Sequence, residues 1–140
     1  MMTRLVLALA VLGLAAAPAA AEEVRLSAHL MGSAEKPAGD PDGMGHATLK
    51  VDAAKGQICY DLAVENIAPA TMAHIHKAAA DASGPVAVPL TKPGADGKVS
   101  ACATASAEVI KDILANPGGY YVNVHNAEFG GGALRGQLSK

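Results

Sequence analysis

The stretch GHATLKVDAAKGQICYDLAVENI, residues 45–67, contains two runs in which apolar and polar residues alternate. In an extended strand this alternation places Ala47, Leu49 and Val51 on one face. The second run does the same for its apolar residues, Ile58, Tyr60, Leu62 and Val64. The residues DAAKGQ between the runs form a tight connection. The stretch therefore predicts two consecutive strands, each with one buried face.

The same alternation recurs through the rest of the chain. Further runs with this pattern are VRLSAHLM (24–31), TMAHIH (71–76), PVAVPL (85–90), KVSACAT (98–104), YYVNVH (120–125) and ALRGQL (133–138). Turns rich in Gly and Pro separate them. Short strands of even spacing predict an all-β fold, an antiparallel sandwich or barrel.

One segment, residues 106–115, departs from the strand pattern. Its apolar residues follow helical spacing at Val109, Ile110, Ile113 and Leu114. Ser106 suits the N-cap position, and the Pro and Gly residues that follow Asn116 suit a helix end. We expect one short helix that packs across one end of the sheet.

The first 21 residues have the pattern of a secretory signal peptide. Arg4 precedes an apolar run, residues 5–17, and small alanines precede Glu22, where we expect cleavage. A retained membrane anchor is the alternative. Residues 22–140 then form a single domain, which we expect to be periplasmic or secreted and not attached to a membrane.

Composition argues against a nucleic-acid partner. The formal net charge is −2, and the chain contains one Phe, three Tyr and no Trp. It therefore lacks both the basic surface and the aromatic stacking groups that nucleic-acid binding uses.

Two cysteines, Cys59 and Cys102, are present in a chain that we expect to be exported. An oxidising compartment favours a disulfide between them. Buried free thiols or thiolate metal ligands are the alternatives.

Histidine and methionine recur together on the predicted outer faces. His29 and Met31, Met44 and His46, and Met72 and His74 are each separated by one residue. Imidazole with thioether is a donor set that suits copper, because thioether favours Cu(I) and imidazole binds both oxidation states.

The strand TMAHIH indicates the first candidate copper site. His74 and His76 share one face of this strand with Met72, a possible soft ligand. His125, which ends the strand YYVNVH, is the best third ligand. Structural hydrogen bonding by these histidines is the alternative.

A second or extended site is predicted at His29, Met31, Met44 and His46, which can face each other across a hairpin. The alternative is a solvated hairpin without metal. Whether these residues join the first site stays open at this point.

The motifs AHIH, YVNVH and ALRGQL resemble the CHRD domain family, the module first named for chordin. The likeness covers nearly all of the chain after the signal peptide. It implies an all-β, Greek-key-like fold with one short helix. In chordin-like animal proteins the module is associated with growth-factor antagonists, a role that we do not expect to transfer to this chain.

MAHIH followed by YYVNVHNAEFGGGALRGQL is also similar in order to the copper strands of copper–zinc superoxide dismutase. This likeness matches His74, His76 and His125 to copper ligands and Arg135 to an arginine near the metal. The stretch between residues 77 and 100 contains Asp81 and Asp96 but no histidine for a zinc loop. We therefore expect a non-enzymatic role.

The sequence thus favours an exported protein that sequesters, buffers or hands over copper. Two alternatives are a metal-free module that binds an unknown protein partner and a dismutase-like copper oxidoreductase.

Overall fold

A computed structural model describes residues 15, 17 and 22–140, so almost all of the predicted signal peptide, 1–21, lies outside the described residues. The described chain folds into eight strands and one α-helix: β1 (Val24–Met31), β2 (Met44–Asp52), β3 (Gln57–Glu65), β4 (Ala70–Lys77), β5 (Val86–Leu90), β6 (Lys98–Thr104), α1 (Ala107–Ala115), β7 (Tyr120–Asn126) and β8 (Leu134–Gln137). Short 3-10 helices at Gly32–Ala34 and Pro117–Gly119 follow β1 and precede β7.

The strands form a single antiparallel sheet in the order β5-β4-β7-β8-β1-β2-β3-β6. The edge strands β5 and β6 approach each other, so the sheet nearly closes into a barrel. A hydrogen bond helps to span this gap: the Thr91 backbone N–H, just beyond β5, donates to the Tyr60 hydroxyl on β3 at 2.7 Å. The predicted all-β antiparallel fold is confirmed in this barrel-like form.

The hairpin β2–β3 follows the alternation of its sequence. Leu49 pairs with Tyr60 and Val51 with Ile58, and all four side chains are buried. Each fully buried aliphatic side chain contributes roughly 1.5–3 kcal/mol relative to an exposed one. A register slip of one residue would turn this apolar set toward solvent, so the core fixes the pairing.

The predicted helix is confirmed as α1. The Ser106 hydroxyl oxygen accepts a hydrogen bond from the Val109 backbone N–H at 3.2 Å and caps the first turn. Ile110 and Ile113 are buried in the core. Asp112, on the other face of the helix, accepts a hydrogen bond from the Tyr120 hydroxyl at 2.5 Å.

The predicted disulfide is also confirmed. Cys59 and Cys102 are directly paired in the ladder between β3 and β6, and a bond between their sulfur atoms joins the two strands. Within residues 22–140, none of the helices has the length and apolar character needed to cross a membrane.

Strand β7 differs from the simple pattern of one buried and one solvated face. All of its residues are buried, including the outer-face residues Tyr121, Asn123 and His125. Segments 32–43, 78–85 and 127–133 supply carbonyl groups or side chains to this outer face. The outward-facing histidine of this strand therefore lies in a covered site and not on open surface.

One glycine makes this covering possible. A Cβ on Gly84 would lie 1.9 Å from the Lys77 carbonyl oxygen, so only glycine allows the loop to return this close to the end of β4. The close return brings the carbonyl of Gly84 to the outer face of the sheet.

Candidate metal centre

The three histidines of the first predicted site lie together on the outer face of β4 and β7. These strands are neighbours, and their register pairs Met72 with His125 and His74 with Asn123. The His74 Nδ1 atom is 3.2 Å from His125 Nε2. One nitrogen from each of His74, His76 and His125 lies within 4.8 Å of the other two. Two nitrogens bound to one ion with metal–nitrogen bonds near 2 Å lie at most about 4 Å apart. The separation of His74 and His125 is already within this range, and any pair at the 4.8 Å limit would have to move closer to share an ion.

Backbone carbonyls orient two of the rings. His76 Nδ1 lies 2.8 Å from the Gly84 carbonyl oxygen, and His125 Nδ1 lies 3.0 Å from that of Gly130. Because a carbonyl can only accept, each Nδ1 must carry a proton, which leaves each Nε2 with a free lone pair. A carbonyl partner of this kind is what orients a metal-binding histidine in many proteins.

The Nε2 atom of His76 is buried and has no hydrogen-bond partner among the described residues. A buried acceptor without a donor is costly, and such groups in proteins commonly bind water or an ion. The lone pair of this atom is thus free for a water or an ion.

The environment of His74 and His76 favours their neutral form. Burial lowers the pKa of His74, and the neighbouring His125 and His76 lower it further. Burial is also the largest cause that lowers the pKa of His76, with added contributions from His125 and Arg135 against the raising effect of the Gly84 carbonyl. Neutral imidazole is the form that binds a metal, so these shifts reduce competition from protons.

Met72 lies directly opposite His125 in the ladder, and 49% of its surface is exposed. His74 is partly exposed as well. The site is therefore covered over β7 and open over this end of β4.

Arg135, which the dismutase likeness placed near the metal, lies on β8 directly opposite Asn123 of β7. Its guanidinium is buried on β8, and its Nη2 donates to the Ala79 carbonyl oxygen at 2.7 Å. Tyr121 lies between Arg135 and His76 in the strand order, and its ring contacts both.

Tyr121, Asn123 and Glu35 are part of this environment, but the sequence reasoning missed them. Tyr121 and Asn123 alternate with their neighbours in step with His125, so the sequence already predicts that they lie on the same face of the strand. Glu35 comes from a turn-rich segment, and no local pattern marks it.

Glu35 is a buried carboxyl group next to this cluster. Asn123 Nδ2 donates to Glu35 Oε1 and, at 3.1 Å, to the Leu134 carbonyl oxygen. Gly132 makes room for the carboxyl, since a Cβ there would lie 2.5 Å from its carbon. Burial raises the pKa of Glu35 to about 7, although Arg135 and the bond from Asn123 act in the opposite direction.

The second predicted group lies on β1 and β2. His29 pairs directly with His46 and Met31 with Met44. Strand β8 separates β1 from β7, which carries His125, and this corresponds to roughly 10 Å between the nearest members of the two groups. The four residues therefore do not extend the first cluster, and they form a group of their own.

Comparison with known proteins gives one match. A family model described as the CHRD domain matches residues 26–138, which include every strand except the first residues of β1. The search of curated proteins and the search of solved structures each found no match. The disulfide and the family are consistent with a secreted protein. Because the match covers most of the chain, the protein belongs to the CHRD domain family.

Proposed function

We propose that the protein is an exported copper-binding domain whose ion is held by His74, His76 and His125. The observation that carries the proposal is the buried, unpartnered Nε2 of His76 beside two further imidazole nitrogens. A metal ion at this point would satisfy that atom and would replace the contact between His74 and His125.

The donor set favours copper over harder ions. The cluster contains three imidazoles, and no carboxylate is part of it among the described residues. Imidazole suits copper and zinc, and the intrinsic order of affinity puts Cu²⁺ above Zn²⁺. The thioether of Met72, opposite His125, adds a soft donor at the open side.

The open side suits a role in sequestration, buffering or hand-over. His74 and Met72 are accessible, so another ligand can reach the ion without unfolding of the covering loops. We infer binding rather than catalysis, because this accessibility is what transfer of the ion to another ligand requires. A metal-free interaction module and a dismutase-like oxidoreductase remain the alternative outcomes that experiment distinguishes.

The test is equilibrium dialysis of residues 22–140 against Cu(II) buffered by glycine, followed by measurement of bound copper. We expect one Cu(II) in the wild type and none in His74→Ala/His76→Ala. His29→Ala/His46→Ala is the matched control, because it removes the same number of imidazoles from β1 and β2 and should keep its Cu(II). Circular dichroism confirms that each variant is folded.

Near-zero copper in both the wild type and His74→Ala/His76→Ala would overturn the proposal. Loss of Cu(II) in the control but not in His74→Ala/His76→Ala would place the ion elsewhere. Dialysis against an equal concentration of Zn(II) tests selectivity, and preference for zinc would contradict the assignment to copper.

A further inference from the structure

We infer that the outer face of β1 and β2 carries a second metal site, selective for Cu(I), formed by His29, Met31, Met44 and His46. No residue is shared with the imidazole site on β4 and β7, so the inference stands independently of the proposed function. The second site would bind copper in a different oxidation state and on a different surface of the molecule.

The four side chains form two adjacent rungs of one antiparallel ladder. His29 is opposite His46, and Met31 is opposite Met44. Residues opposite each other have Cβ atoms about 4.5–5.5 Å apart, and alternate residues of a strand share a face. The imidazole centroids of His29 and His46 are 4.9 Å apart. The register thus places two imidazoles and two thioethers side by side on one face of the strands.

The intervening residues belong to the opposite face. Leu30, between His29 and Met31, is buried in the core, and Gly45, between Met44 and His46, points toward Leu30 and Val64. Glu65 stands opposite Met44 on β3 and lines the same hollow. Opposite His46 on β3 stands Ala63, whose small side chain leaves the ring accessible.

The side chains of Met31 and Met44 are unusually exposed to solvent. Met31 is 53% exposed and Met44 is 51% exposed, and both are among the few large apolar side chains of the described chain that face solvent. Paired, exposed apolar side chains at matched register are the kind of surface that proteins use for binding. Packing of the core does not require them, because the inner faces of both strands are filled by other residues.

The chemistry of the four donors points to Cu(I). Thioether sulfur is neutral and soft, and it selects Cu(I) over Cu(II) and Zn(II). The His46 Nε2 atom lies 3.2 Å from the Thr48 hydroxyl oxygen. If Nε2–H donates to that oxygen, Nδ1 has the free lone pair and its ring is held in place. The first site, with its three imidazoles, suits Cu(II) as well, so the two sites differ in the oxidation state they prefer.

The test is an anaerobic titration of residues 22–140 with Cu(I) held by the chromophoric chelator bicinchoninate, with ascorbate as reductant. The variant is Met31→Leu/Met44→Leu, which preserves volume at exposed positions and so should not disturb the fold. We expect the variant to bind one Cu(I) fewer than the wild type. Its affinity for this ion should fall by more than the roughly 10- to 100-fold that is lost when a residue that only supports a metal ligand is removed. Its Cu(II) binding should be unchanged.

Met72→Leu removes the exposed methionine beside the other site, and it should keep the Cu(I) that Met31 and Met44 hold. His74→Ala/His76→Ala should retain the Cu(I) that Met31 and Met44 hold, even if the imidazole site proves not to bind copper. Unchanged Cu(I) binding in Met31→Leu/Met44→Leu, or loss of all Cu(I) in His74→Ala/His76→Ala, would overturn the inference.

A second measurement does not depend on substitution. In the wild type labelled with ¹³C-methyl methionine, Ag(I) serves as a redox-inert analogue of Cu(I). Its addition should shift the methyl resonances of Met31 and Met44 together at one equivalent. A shift of Met72 alone would contradict the proposed site.

Discussion

The guanidinium carbon of Arg135 lies 3.5 Å from the centre of the Tyr121 ring, with the cation over the ring face. The same ring is parallel to the imidazole of His76 within 2°, at a centroid separation of 5.0 Å. A cation close to an aromatic face is attracted by the ring quadrupole, by up to about 2 kcal/mol where both groups are desolvated. Tyr121 therefore links a buried charge on β8 to the ring orientation of a proposed copper ligand on β4.

This arrangement predicts different effects for two substitutions of Tyr121. Tyr121→Leu removes the flat ring that holds His76 and should weaken Cu(II) binding by roughly 10- to 100-fold, as the loss of a supporting contact does. Tyr121→Phe keeps the ring and loses only a weak hydrogen bond from the Gly84 backbone N–H at 3.4 Å, so its affinity should stay close to wild type. Competition titration with glycine-buffered Cu(II) measures both. Equal affinity in Tyr121→Leu and the wild type would show that the ring does not position His76.

The buried carboxyl of Glu35 predicts a dependence of stability on pH. The pKa of Glu35 is raised to about 7 in the folded protein from an ordinary value of 4.5. The contribution of this group to stability is therefore fully present below pH 4.5 and is lost as the pH rises through 7. Glu35→Gln keeps a neutral acceptor for Asn123 and removes this loss. Between pH 5 and pH 8, the free energy of unfolding of the variant should therefore increase relative to that of the wild type, by an amount on the order of 3 kcal/mol at most.

Urea denaturation at several pH values measures this difference. Glu128→Gln removes an exposed carboxylate from the loop 127–133 and serves as the matched control for loss of one negative charge. Parallel stability profiles for Glu35→Gln and the wild type would contradict the predicted titration of Glu35.

The disulfide is expected to stabilise the fold without contributing to copper binding. Cys59 and Cys102 are 43 residues apart, and loss of a cross-link over a loop of that length lowers the free energy of unfolding by about 3–4 kcal/mol. Cys59→Ser/Cys102→Ser should show this loss in urea denaturation, and the wild type with reductant should behave in the same way. Neither β3 nor β6 pairs with β4 or β7, so one Cu(II) per chain should still bind to the folded variant. Loss of Cu(II) from a variant that remains folded would contradict this separation.

Much of the architecture follows from patterns that are local in the chain. The alternation of Ala47, Leu49 and Val51 predicts a strand and its buried face, because side chains of an extended backbone point alternately to opposite sides. The helical spacing of Ile110 and Ile113 predicts α1 for a similar reason. Parity also placed His74 and His76 together on one outer face, since they are two residues apart.

These local patterns do not predict which distant segments of the chain contact each other. His74 and His125 meet across 51 residues of chain because β4 and β7 are neighbours in the sheet, and parity does not tell which strands adjoin. The same strand order separates His29 from His74 by two intervening strands. Glu35 and the carbonyls of Gly84 and Gly130 reach the outer face of β7 through loops. A strand's face depends on backbone geometry within a few residues, whereas its neighbours and its covering loops depend on long-range packing of the whole chain.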